Sequence, residues 1–236
     1  MLKAALRVLA AVSLASAVST VTVAPAAASP AVPAARAAAD DDLTTPCGPV
    51  VDYRASDWWR TTTEPQIAQT VATKATDERW RWRNDVNTLW RGDTRENVED
   101  IFRTGFTPRG DQMIPLDQYI VKGGGQNSAH LSTSCAMWVA QKFATYGAEK
   151  TGWVYEIYAP GGIDVNATAR LNGYQSPYLW NKEIDFPGGV EGQYIKGACK
   201  YHLTSTDPDT KVSTFENLGC KSNADFAPYR TDAAAR

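Results

Sequence analysis

Three short segments, in a fixed order, carry residue types that can act together on one substrate. Leu89-Trp90-Arg91-Gly92-Asp93-Thr94-Arg95 sets an arginine at a strand end, and Leu131-Ser132-Thr133-Ser134 is a strand rich in hydroxyls. Asn181-Lys182-Glu183 puts a glutamate two residues after an amide side chain. A guanidinium fork binds phosphate oxygens in a fixed geometry and keeps its charge. A carboxylate accepts a hydrogen bond from a sugar hydroxyl and stabilises nearby positive charge. A serine beside it can fix its orientation. The set suits a phosphate-bearing glycoside whose bond breaks through an oxocarbenium-like sugar. Taken singly, each segment is ordinary: Arg91 could be a surface ion pair, Ser132 to Ser134 a polar strand, Glu183 a charged strand residue. Arg91-Gly92-Asp93 is also an adhesion tripeptide, but three residues match too easily to compete.

These groups need strands to hold them. Asn87 to Arg91 reads as a strand, and Asp93 reads as a helix cap, with Glu96 at capping-box spacing. Val98, Ile101 and Phe102 form that helix's apolar stripe and Gly105 ends it. Pro108 to Asn127 reads as a loop. Its Gly123-Gly124-Gly125 is a connector, since no Lys-Ser/Thr of a phosphate loop follows. Ala129 to Ser134 is a strand, followed by a helix from Cys135 to Tyr146 with Val139, Phe143 and Tyr146 on one side. Trp153 to Tyr158, Ile184 to Phe186 and Tyr194 to Leu203 are further strands. Upstream, Glu64 to Trp80 suits a helix, with Pro65 in its first turn. Arg79-Trp80-Arg81-Trp82-Arg83 could touch nucleic acid by charge and stacking; the plainer reading packs the tryptophans and solvates the arginines. The Asn166-Ala167-Thr168 sequon carries no functional weight. Strands dominate after residue 129 and helices come earlier, an α+β plan.

Lys3, Arg7 and the apolar run from Val8 to Val18 read as a secretory signal peptide. Cleavage is expected between about Ala27 and Ala39, so residues 1–39 are the leader and 40–236 one catalytic domain. Losing the leader takes three basic residues and no acid, moving the formal charge from −2 to −5. A mildly acidic domain is not built for tight, nonspecific duplex binding. Cys47, Cys135, Cys199 and Cys220 form an even set in an exported chain, which favours disulfides. With no C-x-x-C and only His130 and His202 as imidazoles, no metal site is expected. No segment beyond the leader is apolar enough to cross a membrane, and a monomer is expected.

The three segments resemble the mono-ADP-ribosyltransferase toxins of the cholera-toxin type, and more closely the scabin and pierisin branch, which modifies guanine. The resemblance runs from about Leu89 to Cys199. Pro160-Gly161-Gly162-Ile163-Asp164-Val165-Asn166, Phe186-Pro187-Gly188-Gly189 and Tyr194-Ile195-Lys196-Gly197 are similar to that branch as well. It implies two packed, mainly antiparallel sheets with NAD, a co-substrate, in the cleft between them. It implies that Arg91 anchors NAD with Gly92, Asp93, Arg95 and Ser132, that Ser132 orients Glu183, and that Glu183 is catalytic. Asn181 stands where the branch usually has Gln, and Tyr178, with Trp180 nearby, where it often has Trp; these three would meet the acceptor. The implied reaction moves ADP-ribose from NAD to guanine in DNA, a nucleoside or a nucleotide and releases nicotinamide. A protein side chain or water as acceptor, or a silent binding protein of the same fold, are the alternatives. Cys199 and Cys220 close a polar loop, and similar paired cysteines occur in scabin-like proteins. Cys47 and Cys135 would then pair, although Cys135 could also be a buried free thiol.

Overall fold

The computed structural model describes residues 46–52, 79–112, 114–122 and 127–227. Its strands form one antiparallel order: β1 (Val50–Asp52), β2 (Arg81–Arg83), β6 (Ile163–Asp164), β7 (Glu183–Asp185), β4 (Ser132–Ser134), β3 (Leu89–Asp93), β5 (Thr151–Ile157), β8 (Ile195–Thr206) and β9 (Ser213–Ser222). The helices are α1 (Val98–Thr104), α2 (Leu116–Lys122), α3 (Met137–Ala144) and α4 (Val165–Asn172). The class is α+β. The expected pair of sheets is two halves of one order, joined where β3 and β4 share a single register pair, Trp90 opposite Ser134. β4 is too short to follow β3, which runs instead beside β5 from Leu89–Ile157 to Asp93–Trp153.

One apolar cluster spans both halves. Val98, Ile101 and Phe102 of α1 meet Leu131, Tyr155, Ile184 and Phe186. A second gathers Leu116, Tyr119 and Ile120 of α2 with Trp80, Trp82, Ile163 and Val165. A third sets Ala140 and Ala144 of α3 on Val154 and Tyr201. This last contact is backbone on backbone. A Cβ added to Gly92 would lie 2.0 Å from the Ala140 carbonyl oxygen, and one on Gly152 2.0 Å from that of Ala144. Gly92 therefore lets α3 lie flat on β3, which gives the Arg-Gly-Asp tripeptide a packing explanation.

Several sequence readings shift. Asp93 stays in β3, and the cap of α1 is Asn97, whose side chain accepts from the Asp100 amide. Asp93 grips Arg95 instead. The expected loop from Pro108 to Asn127 contains α2, whose Leu116, Tyr119 and Ile120 are spaced to bury one helical face. Phe143 is 49% exposed and Tyr146, beyond the helix end, 86%. Trp80 and Trp82 are buried as expected, but so is Arg83, which donates to the Ala159 carbonyl at 2.6 Å and pairs with Asp85. Asn166 is buried in α4, its amide donating to the Leu179 carbonyl at 3.1 Å. The long β8–β9 hairpin forms where the chain reads as a strand and a polar loop. Both disulfides, Cys199–Cys220 and Cys47–Cys135, are present. The leader, most of the 64–80 helix and Gly123 to Gly125 lie outside the described residues.

Candidate active site

The register across β4 and β7 sets the geometry. Ser132 faces Asp185, Thr133 faces Ile184 and Ser134 faces Glu183. Side chains alternate across a strand, so Glu183 and Asp185 share the cleft face while Ile184 enters the core. Ser132 is then diagonal to Glu183, a separation that a long carboxylate can span. The other two hydroxyls brace the frame. Thr133 Oγ1 donates to the Ile184 carbonyl and Ser134 Oγ to the Asn181 carbonyl, each at 2.7 Å. Lys182 takes a left-handed backbone conformation (φ 45°) and turns the chain from the 3₁₀ turn Leu179–Asn181 into β7.

Glu183 Oε1 accepts from the Tyr119 hydroxyl at 3.0 Å, and Tyr119 also contacts Ser132 Oγ. Burial, then repulsion from Asp185, lifts the Glu183 carboxyl from 4.5 to about 7, while the nearby Ser132 and Tyr119 hydroxyls and His130 oppose the rise. The Tyr119 ring stacks on His130 with centroids 4.4 Å apart. His130 Nε2 faces the Ile114 carbonyl at 2.7 Å and Nδ1 faces Asp185 Oδ2.

Across the cleft, Arg91 Nη1 donates to the Ser132 carbonyl, and the guanidinium lies 5.0 Å from the centre of the Phe106 ring. Burial lowers Arg91 from its ordinary value, and Asp93 partly offsets this. Its Nε is buried with no partner among the described residues. The Arg95 fork is bidentate on Asp93 at 2.9 and 2.8 Å.

These groups line one cleft of about 680 Å³, in the range of small-molecule sites. Arg91, Gly92, Asp93, Arg95, Ser132, Tyr178, Asn181 and Glu183 all face it. Trp180 does not line it. Its ring stacks beside Trp138 at 5.7 Å, with the Lys142 ammonium 4.2 Å above it. Tyr178 is exposed at the mouth. Asn181 Oδ1 is buried and has no partner among the described residues. The sequence reading missed Tyr119 and Arg109, both cleft residues, and gave His130 no role beyond that of a metal-ligand candidate. The stripe on α2 could have found Tyr119; nothing in the local sequence marks Arg109.

Residues 89–219, which hold every one of these groups, match the Scabin-like family. The chain belongs to the Scabin-like family. This Scabin-like chain is 31% identical over 150 residues to a guanine-specific ADP-ribosyl transferase of Streptomyces coelicolor, covering 63% of the chain and 65% of that protein. It is 31% identical over 141 residues to Pierisin from Pieris brassicae, covering 52% of the chain but 16% of that protein. It thus spans just under two thirds and about one sixth of these relatives' lengths. A structure of a Scabin toxin variant from Streptomyces scabies matches over 79% of this chain and 99% of that one, at TM-score 0.54 and 24% identity. That likeness is one of fold. Among the described residues of the Scabin-like chain, no helix is long and apolar enough to cross a membrane.

Proposed function

We propose that this chain is a secreted mono-ADP-ribosyltransferase that moves ADP-ribose from NAD to guanine, in DNA, a nucleoside or a nucleotide, and releases nicotinamide. One observation carries the reading: Arg91, Ser132 and Glu183 meet in one cleft of a Scabin-like chain. The name of one relative, a guanine-specific ADP-ribosyl transferase, favours guanine as acceptor over a protein side chain.

Each group has a task in this chemistry. Arg91 holds a pyrophosphate oxygen pair, and its link to the Ser132 carbonyl ties that anchor to the strand bearing Ser132. Arg95 shares the task only with the donors that Asp93 leaves open. As the bond from ribose C1′ to the nicotinamide nitrogen breaks, positive charge grows on the ribose, and ionised Glu183 stabilises it. Ser132 and Tyr119 aim the carboxylate. A guanine nitrogen then bonds to C1′ and its proton passes to solvent. Tyr178 supplies a stacking face at the mouth, and the Asn181 amide an edge for the base. Export agrees with the leader-like N-terminus and with two disulfides, which persist in oxidising compartments.

The test is nicotinamide release from NAD, followed by mass spectrometry of guanosine, DNA and protein incubated with enzyme and NAD. A 1:1 ADP-ribose adduct on guanine is expected. Release without any adduct would favour hydrolysis by water, a protein adduct the side-chain reading, and no release a binding protein.

A further inference from the structure

We infer that Tyr119 is a positioning residue for Glu183 and Ser132, kept in place by a His130 ring that is pinned at both of its nitrogens. The inference rests on the activity proposed above. A carbonyl can only accept, so His130 Nε2 carries a proton toward Ile114. Nδ1 faces the Asp185 carboxyl, so that pair is either imidazolium with carboxylate or imidazole with carboxylic acid. Both arrangements fix the ring plane. The pair is fully buried, so water does not compete for either group.

Tyr119 lies on that fixed ring, its own ring tilted by 27°. Rotation about its side-chain bonds would break the stack and the packing with Trp82 and Ile163 around α2. Its hydroxyl has one hydrogen, which goes to Glu183 Oε1. It therefore accepts the hydroxyl hydrogen of Ser132. The result is a directed chain from Ser132 through Tyr119 to Glu183. Burial, and then the charge of Glu183, hold the phenol well above its ordinary pKa, so it remains a donor at any working pH. Ser132 thus acts on the carboxylate partly through Tyr119. The histidine serves as the floor of the site, without contact to the reacting atoms.

The test is Tyr119→Phe, which keeps the ring and its stack and removes the hydroxyl alone. With nicotinamide release as the assay, kcat should fall about 10- to 100-fold, the size of a lost hydrogen bond to a charged group. KM for NAD should change by less than about threefold, because Arg91 is untouched. A second readout needs no turnover. Carbon-13 NMR of the Glu183 carboxyl should give a higher titration midpoint in Tyr119→Phe than in the wild type. The groups facing that carboxyl are Asp185 on its own strand, Ser132, His130, Tyr119 and Arg91. Only the Tyr119 donor is lost. An unmoved midpoint overturns the inference, and so does a loss carried by KM. A wild-type chain that releases no nicotinamide would instead refute the proposed activity, while the titration would still judge Tyr119.

Discussion

Glu183→Gln should separate two effects of one carboxylate. For activity, the swap keeps shape and removes the charge that faces the oxocarbenium-like ribose, a loss on the order of 100- to 1000-fold in turnover. For stability, it should help. The Glu183 carboxyl rises from 4.5 to about 7 on folding. At about 1.4 kcal/mol per tenfold in proton affinity, ionising it in the fold costs roughly 3 kcal/mol. Near pH 4 the group is mostly neutral in the folded and unfolded chains alike, so little is lost. Between pH 4.5 and 7 the unfolded chain gives up its proton first, so stability falls as pH rises; above 7 the whole cost is present. Glutamine never ionises, and its amide oxygen can still accept from Tyr119. The variant should therefore match the wild type near pH 4 and exceed it by about 3 kcal/mol at pH 8. Urea unfolding of the NAD-free protein at pH 4, 6 and 8 measures this. A difference that is flat with pH would refute the buried-carboxylate account, and near wild-type turnover would remove Glu183 from the chemistry.

The same ionisation should appear in kinetics: kcat/KM should climb as pH rises through about 7 and then level off, since the anion is the working form. Arg91→Lys should raise KM for NAD about tenfold or more in initial-rate assays, because an ammonium cannot bind phosphate as a fork or reproduce the Ser132 contact. Asn181→Ala should depress guanine modification far more than hydrolysis of NAD, scored on the same samples by adduct mass spectrometry and nicotinamide release; an equal loss would mean that this amide does not read the base. Gly92→Ala should cost about 1–3 kcal/mol in urea unfolding, because the new Cβ meets the backbone of α3.

The three candidate segments were legible because each pairs a particular residue type with a strand, and strands of this length alternate predictably. Register was not. That Ser132 lies diagonal to Glu183 depends on β4 and β7 pairing across 48 residues of intervening chain, which no local pattern encodes. α2 was hidden for a different reason. Its flanks, Pro108 and Gly123 to Gly125, signal a loop, and the apolar triplet between them is only one helical turn of pattern. Tertiary packing against Trp80 and Trp82 supplies what propensity lacks. Trp180 shows the limit of proximity in sequence. It is one residue from Asn181, yet it faces α3, because the 3₁₀ turn sends neighbouring side chains in different directions. The disulfide between Cys199 and Cys220 was expected from the polar loop they close and from the resemblance to scabin-like proteins, and their direct opposition across β8 and β9 explains it.

The bond between Cys47 and Cys135 has a consequence for where this protein can be cut. The Scabin-like match begins at residue 89, which invites a shortened chain starting there. Such a chain would lose Cys47 and strand Cys135 as a thiol, one position after the Ser-Thr-Ser strand and bonded through its amide to the Lys182 carbonyl. It would also lose β2, whose Trp82 pairs with Ile163, and Cys47's own amide contact to Asp164. The recognisable region therefore leaves out contacts made to Cys135, Ile163 and Asp164. The wall of the cleft that carries Glu183 is fastened from outside the region by which the family is recognised.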